Sequence, residues 1–162
     1  MLNRTLLICC SVLAIAPTLS QAQAASPAPA ANAPVLQVYD AELAKSLGAN
    51  AGGMRSYVLV ILKSGPKKMP EGQARTDMFN GHFANIGRLA DEKKLVVAGP
   101  LDGVDGRRGI FVFATSDIAE AKRYAEADPV IINGEMVAEY HKFFSSAALM
   151  MINDIHKKIQ KK

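Results

Sequence analysis

The segment that most restricts the fold is Tyr57–Lys63, "YVLVILK". It is β-branched and apolar on both alternating sets of side chains, so as a strand it has no face to turn to water. It reads as the central strand of a sheet, with neighbours on both edges and cover on both faces. Three more strand-like runs supply the neighbours, Leu95–Ala98, Ile110–Ala114 and Met136–Phe144. Two helices stand between them. One begins near Arg75 and ends near Lys93. The other runs from Ile118 to Ala127, after N-cap candidates Thr115, Ser116 and Asp117, and is stopped by Pro129. "GPLDGVDGRRG" has the turn chemistry of a hairpin between the second and third strands. The order β, α, β, β, α, β predicts an α+β fold of the ferredoxin-like split β-α-β kind: a four-stranded antiparallel sheet with its helices on one face. The other face is then left to be covered. Two such sheets packed face to face would cover each other, so a homodimer is expected.

The ends of the chain read differently. Arg4, the apolar run Leu6–Ala16 and the small-x-small triplet Ala22-Gln23-Ala24 have the form of a secretory signal peptide spanning residues 1–24, with cleavage near Ala24. The rival reading is a membrane anchor, but the run is about half of the ~20 residues a spanning helix needs. The expected location is periplasmic or secreted. Cys9 and Cys10, the two cysteines of the chain, would leave with the signal, and the exported domain would rely on its core alone. Residues 25–36 are an Ala/Pro-rich linker. Residues 37–56 form an N-terminal extension with a short helix, Ala41–Leu47, between the N-cap Asp40 and the stop Gly48. The domain proper spans 57–146, and 147–162 form a basic amphipathic helix. Its stripe of Ala148, Met151, Ile152, Ile155 and Ile159 reads as core or subunit contact rather than a membrane surface. Much of the formal charge of +4 sits in the tail "HKKIQKK". Without a groove-forming motif or interleaved aromatics this argues against nucleic acid, and the tail reads as a solvated helix end.

The candidate chemistry begins at His82. Phe79, Phe83, Ile86 and Ala90 recur at the spacing of a buried helical stripe, and His82 sits among them. Either it is a core histidine held by a backbone carbonyl, or it is an acid–base group whose ring a carboxylate orients. Asp128, in "EADPVIINGEM", is the candidate carboxylate. Asp-Pro is also ordinary turn grammar, but both helices share a sheet face, which lets Asp128 approach the first helix. A zinc site is poorly supplied, with no cysteine after the signal and no His-x-x-x-His spacing. His141 follows Tyr140 on the last strand, so alternation sends the two to opposite faces; it reads as a surface histidine, and His156 as a solvated one. "GVDGRRG" lacks the helix that a phosphate-binding glycine loop needs behind it, which leaves Arg107 and Arg108 in solvent. "GPKKMPEGQ", with Lys67 and Lys68, is either a plain loop or a mobile lid. Nothing in these residues requires a cofactor.

In sequence, "YVLVILKSGP", "GHFANIGRLADEKKLVVAGPLDG" and "RGIFVFATSDIAEAKRYAEADPVIINGEMVAEYHKFF" resemble the YciI-like (YCII-related) family from about Tyr57 to Phe144. "YDAELAKSLGANAGGMRSYV" and "SSAALM" are similar to its secreted members. The most specific pieces are the helix histidine ahead of a Leu-Val-x-Ala-Gly-Pro strand, and an Ala-Asp-Pro with a glycine five residues past the proline. The resemblance implies a ferredoxin-like fold that forms a dimeric α/β barrel. It also implies a pocket built around a His–Asp pair, here His82 and Asp128, as the catalytic residues. Gly99 and Pro100 match the family's strand-end Gly-Pro, and Arg75 corresponds to a basic residue a turn before the histidine; these would contact substrate. The function expected is cofactor-independent general acid–base proton transfer on a small organic molecule, by isomerisation, elimination or hydrolysis. The alternative is a non-catalytic small-molecule-binding or interaction module of the cell envelope.

Overall fold

A computed structural model describes residues 38–161. The signal-like segment 1–24 and the linker 25–36 lie outside the described residues. Helix α1 (Ala41–Ser46) opens the described chain, with the Asp40 carboxylate accepting from the Leu43 N–H at 2.9 Å. Strand β1 (Met54–Ser64), helix α2 (Gln73–Asp91), strand β2 (Leu95–Pro100) and strand β3 (Arg107–Phe113) follow. Helix α3 (Ile118–Glu126), the short helix α4 (Pro129–Ile132) and strand β4 (Met136–Ser146) complete the sheet and its cover. A 3-10 turn (Ala147–Met151) then leads into helix α5 (Ile152–Ile159). No described helix is long and apolar enough to cross a membrane.

The sheet order is β2-β3-β1-β4, with every neighbouring pair antiparallel. Together with the element order this is the ferredoxin-like split β-α-β arrangement. β1 is central, as its sequence demands: Val60 lies opposite Phe111 on one side and Tyr140 on the other. The alternate residues Val58, Val60 and Leu62 meet Leu95, Phe111 and Phe113 of the sheet and Met78, Leu89, Ala121, Ala125 and Val130 of the helices. The other set, Tyr57 with Val96 and Val112, forms a smaller cluster against Leu59, Phe143, Leu149 and Met150. The chain's own 3-10 turn therefore covers part of the second face, while Leu59, Ile61 and Ile110 stay half-buried. The β2–β3 connection turns through Gly103 and Gly106, both with positive φ, and Asp105 at φ 54°.

Two expectations need correction. The buried line of α2 is Met78, His82 and Leu89, one position earlier than the expected stripe, and Phe83 is 63% exposed. The spacing is the expected one; the phase differs because the sheet beneath takes up the His82 line and leaves Phe83 on the shoulder of the helix. Pro129 ends α3 as expected, and it also occupies the first turn of α4, where its missing N–H costs nothing. The C-terminal stripe is not core in this chain: Ile152, Ile155 and Ile159 are 39%, 45% and 75% exposed. α5 is held instead by polar contacts, Asn153 Nδ2 donating to the Leu95 carbonyl at 2.8 Å and Lys157 pairing with Asp91 at 2.9 Å.

Candidate functional site

α2 and α4 bring together two residues 46 positions apart. Gly81 makes the approach possible: a Cβ there would lie 3.0 Å from Pro129 Cγ, tighter than ordinary packing. Across this contact His82 Nδ1 lies 2.9 Å from Asp128 Oδ1. Asp128 is fully buried, and its Oδ1 also accepts from the Val130 N–H at 3.1 Å, because Asp128 is the N-cap of α4. Its Oδ2 accepts from Asn85 Nδ2 at 2.9 Å. Asn85 is itself oriented, since its Oδ1 accepts from Arg88 Nη2 at 2.8 Å. The Val130 and Asn85 groups are N–H donors, which suits a carboxylate, and a carboxylate can only accept from the ring. Nδ1 then carries the proton, and Nε2 is the basic nitrogen of the neutral ring. Nε2 has no protein partner among the described residues and is not sealed from solvent.

The ring sits among aromatic side chains: Phe83 at 5.4 Å, Phe111 at 5.9 Å and Phe79 edge-on at 6.2 Å between centroids. It forms part of the wall of an open cavity of about 420 Å³ between α2 and the β2–β3 end of the sheet. Phe79, Phe83, Ile86, Phe111 and Met136 give that cavity its apolar lining, and Gly99 and Pro100 border it from β2. Gly109 also lines it; a Cβ at that position would come within 2.9 Å of the Gly99 carbonyl oxygen, so only glycine lets the two strands meet there.

Arg75, the basic residue a turn before the histidine, is engaged by carboxylates of the chain itself. Its guanidinium lies over the Phe79 ring at 4.9 Å and pairs with Glu135 at 2.8 Å and with Glu71 at 3.3 Å, and Arg75 is not among the residues that line the cavity. Glu135 is buried, and it also accepts from the Met69 N–H at 2.7 Å, tying the loop after β1 to the start of β4. Burial pushes the Glu135 carboxyl up, but the Met69 N–H and the Arg75 and Arg108 charges outweigh it and hold the group below the usual glutamate range. That loop, read as a lid or a plain connection, is also anchored by Gly65 and Lys67 donating to the carbonyls of Glu135 and Gly134. Arg108, expected in solvent, lines the cavity, while Arg107 pairs with Asp105. Tyr140 packs on the helical face and His141 is exposed on the opposite one, so His141 does not join His82. His156 borders a separate groove between α5 and β2.

Asn85, Glu135 and Arg108 are the site residues that sequence reasoning missed. Asn85 had a signal, being three residues beyond His82 and so on the same side of the helix. Glu135 reads as an ordinary polar residue after a turn, and Arg108 as part of a solvated hairpin.

No family model matches the chain. Among solved structures it is similar to the 5-chloro-2-hydroxyhydroquinone dehydrochlorinase of Burkholderia phenoliruptrix AC1100, in complex with 2,5-dihydroxybenzoquinone, at 21% identity over 55% of this chain and 90% of that one, with a TM-score of 0.37. Among curated proteins it is 34% identical over 65 residues to the uncharacterised protein YjpA of Bacillus subtilis (strain 168), a match covering 37% of this chain and 74% of the relative. By that identity and coverage, the chain belongs to the same family as YjpA.

Proposed function

We propose that this protein is an exported, YciI-like enzyme that moves a proton on a small organic substrate, with His82 as the acid–base group and Asp128 as the residue that orients it. The observation that carries the reading is the arrangement of the imidazole. One nitrogen is fixed by a fully buried carboxylate, and the other is left unpartnered in a residue that borders an apolar cavity. The ring has a polar anchor behind it and an aromatic-lined hollow in front, which leaves Nε2 free to meet a bound molecule. Nε2 takes a proton from a C–H or O–H acid held in the cavity, and Asp128 stabilises the imidazolium that forms. The proton then returns to a different atom of the same molecule in an isomerisation, or to a departing group in an elimination. With a water as the proton donor to Nε2, the same pair supports hydrolysis.

The sequence resemblance from Tyr57 to Phe144 supports the YciI-like assignment, and the half-buried Leu59, Ile61 and Ile110 on the second sheet face support a homodimer. Export rests on Arg4, the Leu6–Ala16 run and the Ala22-Gln23-Ala24 triplet. The test of the chemistry is solvent-deuterium exchange into a panel of small carbon acids, followed by NMR. A substrate exchanged by the wild type should lose about 100-fold or more of its rate in His82→Ala, the scale of general acid–base catalysis. Equal exchange by wild type, His82→Ala and Asp128→Asn would remove the assignment.

A further inference from the structure

The cavity holds a second polar group besides His82. The register between β1 and β3 pairs Leu62 with Gly109 and Lys63 with Arg107, so Arg108 is the extra residue of a β-bulge. A bulge re-aims side chains at the point where strict alternation would fix them. Here the two neighbouring arginines part company. Arg107 turns to Asp105, with 2.9 Å between Nη1 and Oδ2, whereas Arg108 lines the cavity, partly shielded from solvent. Arg75 is neutralised by Glu135 at 2.8 Å. Among the described residues Arg108 makes neither an ion pair nor a side-chain hydrogen bond, and its charge helps hold Glu135, already engaged by Arg75 and the Met69 N–H, below the usual glutamate range. Arg75 is thus engaged by two carboxylates, Glu135 and, at 3.3 Å, Glu71, whereas the Arg108 guanidinium has no ion-pair partner among the described residues.

We propose that Arg108 is the anion-recognising residue of this site, and that the substrate is a small, mainly apolar acid whose carboxylate or enolate oxygen it holds while His82 works on the neighbouring atom. This deepens the acid–base reading and rests on it. A guanidinium presents a planar fork that suits two oxygens of one anionic group. Beside an apolar lining, that charge favours an anion far more than it would in open water. The aromatic walls and the volume of about 420 Å³ suit a body the size of a substituted six-membered ring. Removing a proton next to a carboxylate or carbonyl builds negative charge on oxygen, and a fixed cation at that position stabilises the charge as it forms.

The test compares two probes of the same shape, benzoate and neutral benzamide. Each is titrated into the purified protein at about pH 8.5, where an ordinary histidine is neutral. The amide signals of Gly99 and Gly109 report occupancy of the cavity. Benzoate should bind at least tenfold more tightly than benzamide. Arg108→Gln should erase that preference, Arg108→Lys should keep part of it, and Arg107→Gln should keep all of it. Equal affinity of the two probes, no response to benzoate at tens of millimolar, or an undiminished preference in Arg108→Gln would overturn the proposal. His82→Asn separates this from the acid–base reading. It should abolish exchange catalysis and leave the preference for benzoate in place, so each claim can fail alone.

Discussion

At the scale of single residues, the site is a matter of which groups are satisfied and by what. Asp128 gathers three N–H donors, from His82, Asn85 and Val130, and this lets a carboxylate sit fully buried. Glu135 performs the parallel service for Arg75 and the loop after β1. Its pH dependence has a definite sign. The folded state holds the Glu135 carboxyl below its unfolded value near 4.5, so this contribution to stability is complete above that pH. It is lost as pH falls through the lower, folded value. Thermal melts should therefore show the wild type losing stability from about pH 4.5 downward, and Glu135→Gln should be less stable at neutral pH with a shallower decline in acid. Parallel pH profiles for the two proteins would show that the Glu135 pair carries no net stabilisation.

At the scale of elements, the geometry depends on α4 closing on α2. Gly81 is the point of closest approach, and a larger side chain there must move Pro129 and with it the cap that carries Asp128. Gly81→Val should cost about 1–2 kcal/mol, as overpacking of a tight contact does after a small gain in helix propensity. Proton exchange by His82 should fall with it, more steeply than stability. Retention of full activity and Tm would mean that the approach of the two helices does not set the pair. The elements themselves were largely legible. β1 announced a central strand through its two apolar sets, and Asp40, Asp117 and Pro129 marked helix ends correctly. The pairing of His82 with Asp128 could be named, though not its distance. What escaped has physical causes. Four residues of α4 are too few to display a period, so Asp128 looked like the end of one helix rather than the cap of the next. The phase of α2 was missed because phenylalanine is read as core wherever it recurs, and periodicity does not reveal where a helix borders a hollow. A one-residue bulge leaves no trace in composition, which is why Arg108 was sent to solvent.

At the scale of the whole molecule, the sheet has one face under α2, α3 and α4 and another only partly covered by the 3-10 turn at Leu149 and Met150. Half-buried Leu59, Ile61 and Ile110 remain there, and α5 shows Ile152, Ile155 and Ile159 to its surroundings. The proposal that a second copy covers this face makes light scattering decisive. The purified protein should run at twice the monomer mass, and Ile61→Glu should halve it while changing the helical face little. A monomeric wild type would leave that face to another partner.

The central claim is that a carboxylate behind His82 fixes which ring nitrogen carries the proton. Long-range nitrogen–proton correlation of the His82 ring measures this directly. With the imidazole neutral, Nδ1 should be protonated and Nε2 bare, and that preference should vanish in Asp128→Ala. A neutral ring protonated on Nε2, or one whose tautomer is indifferent to Asp128, would contradict the account.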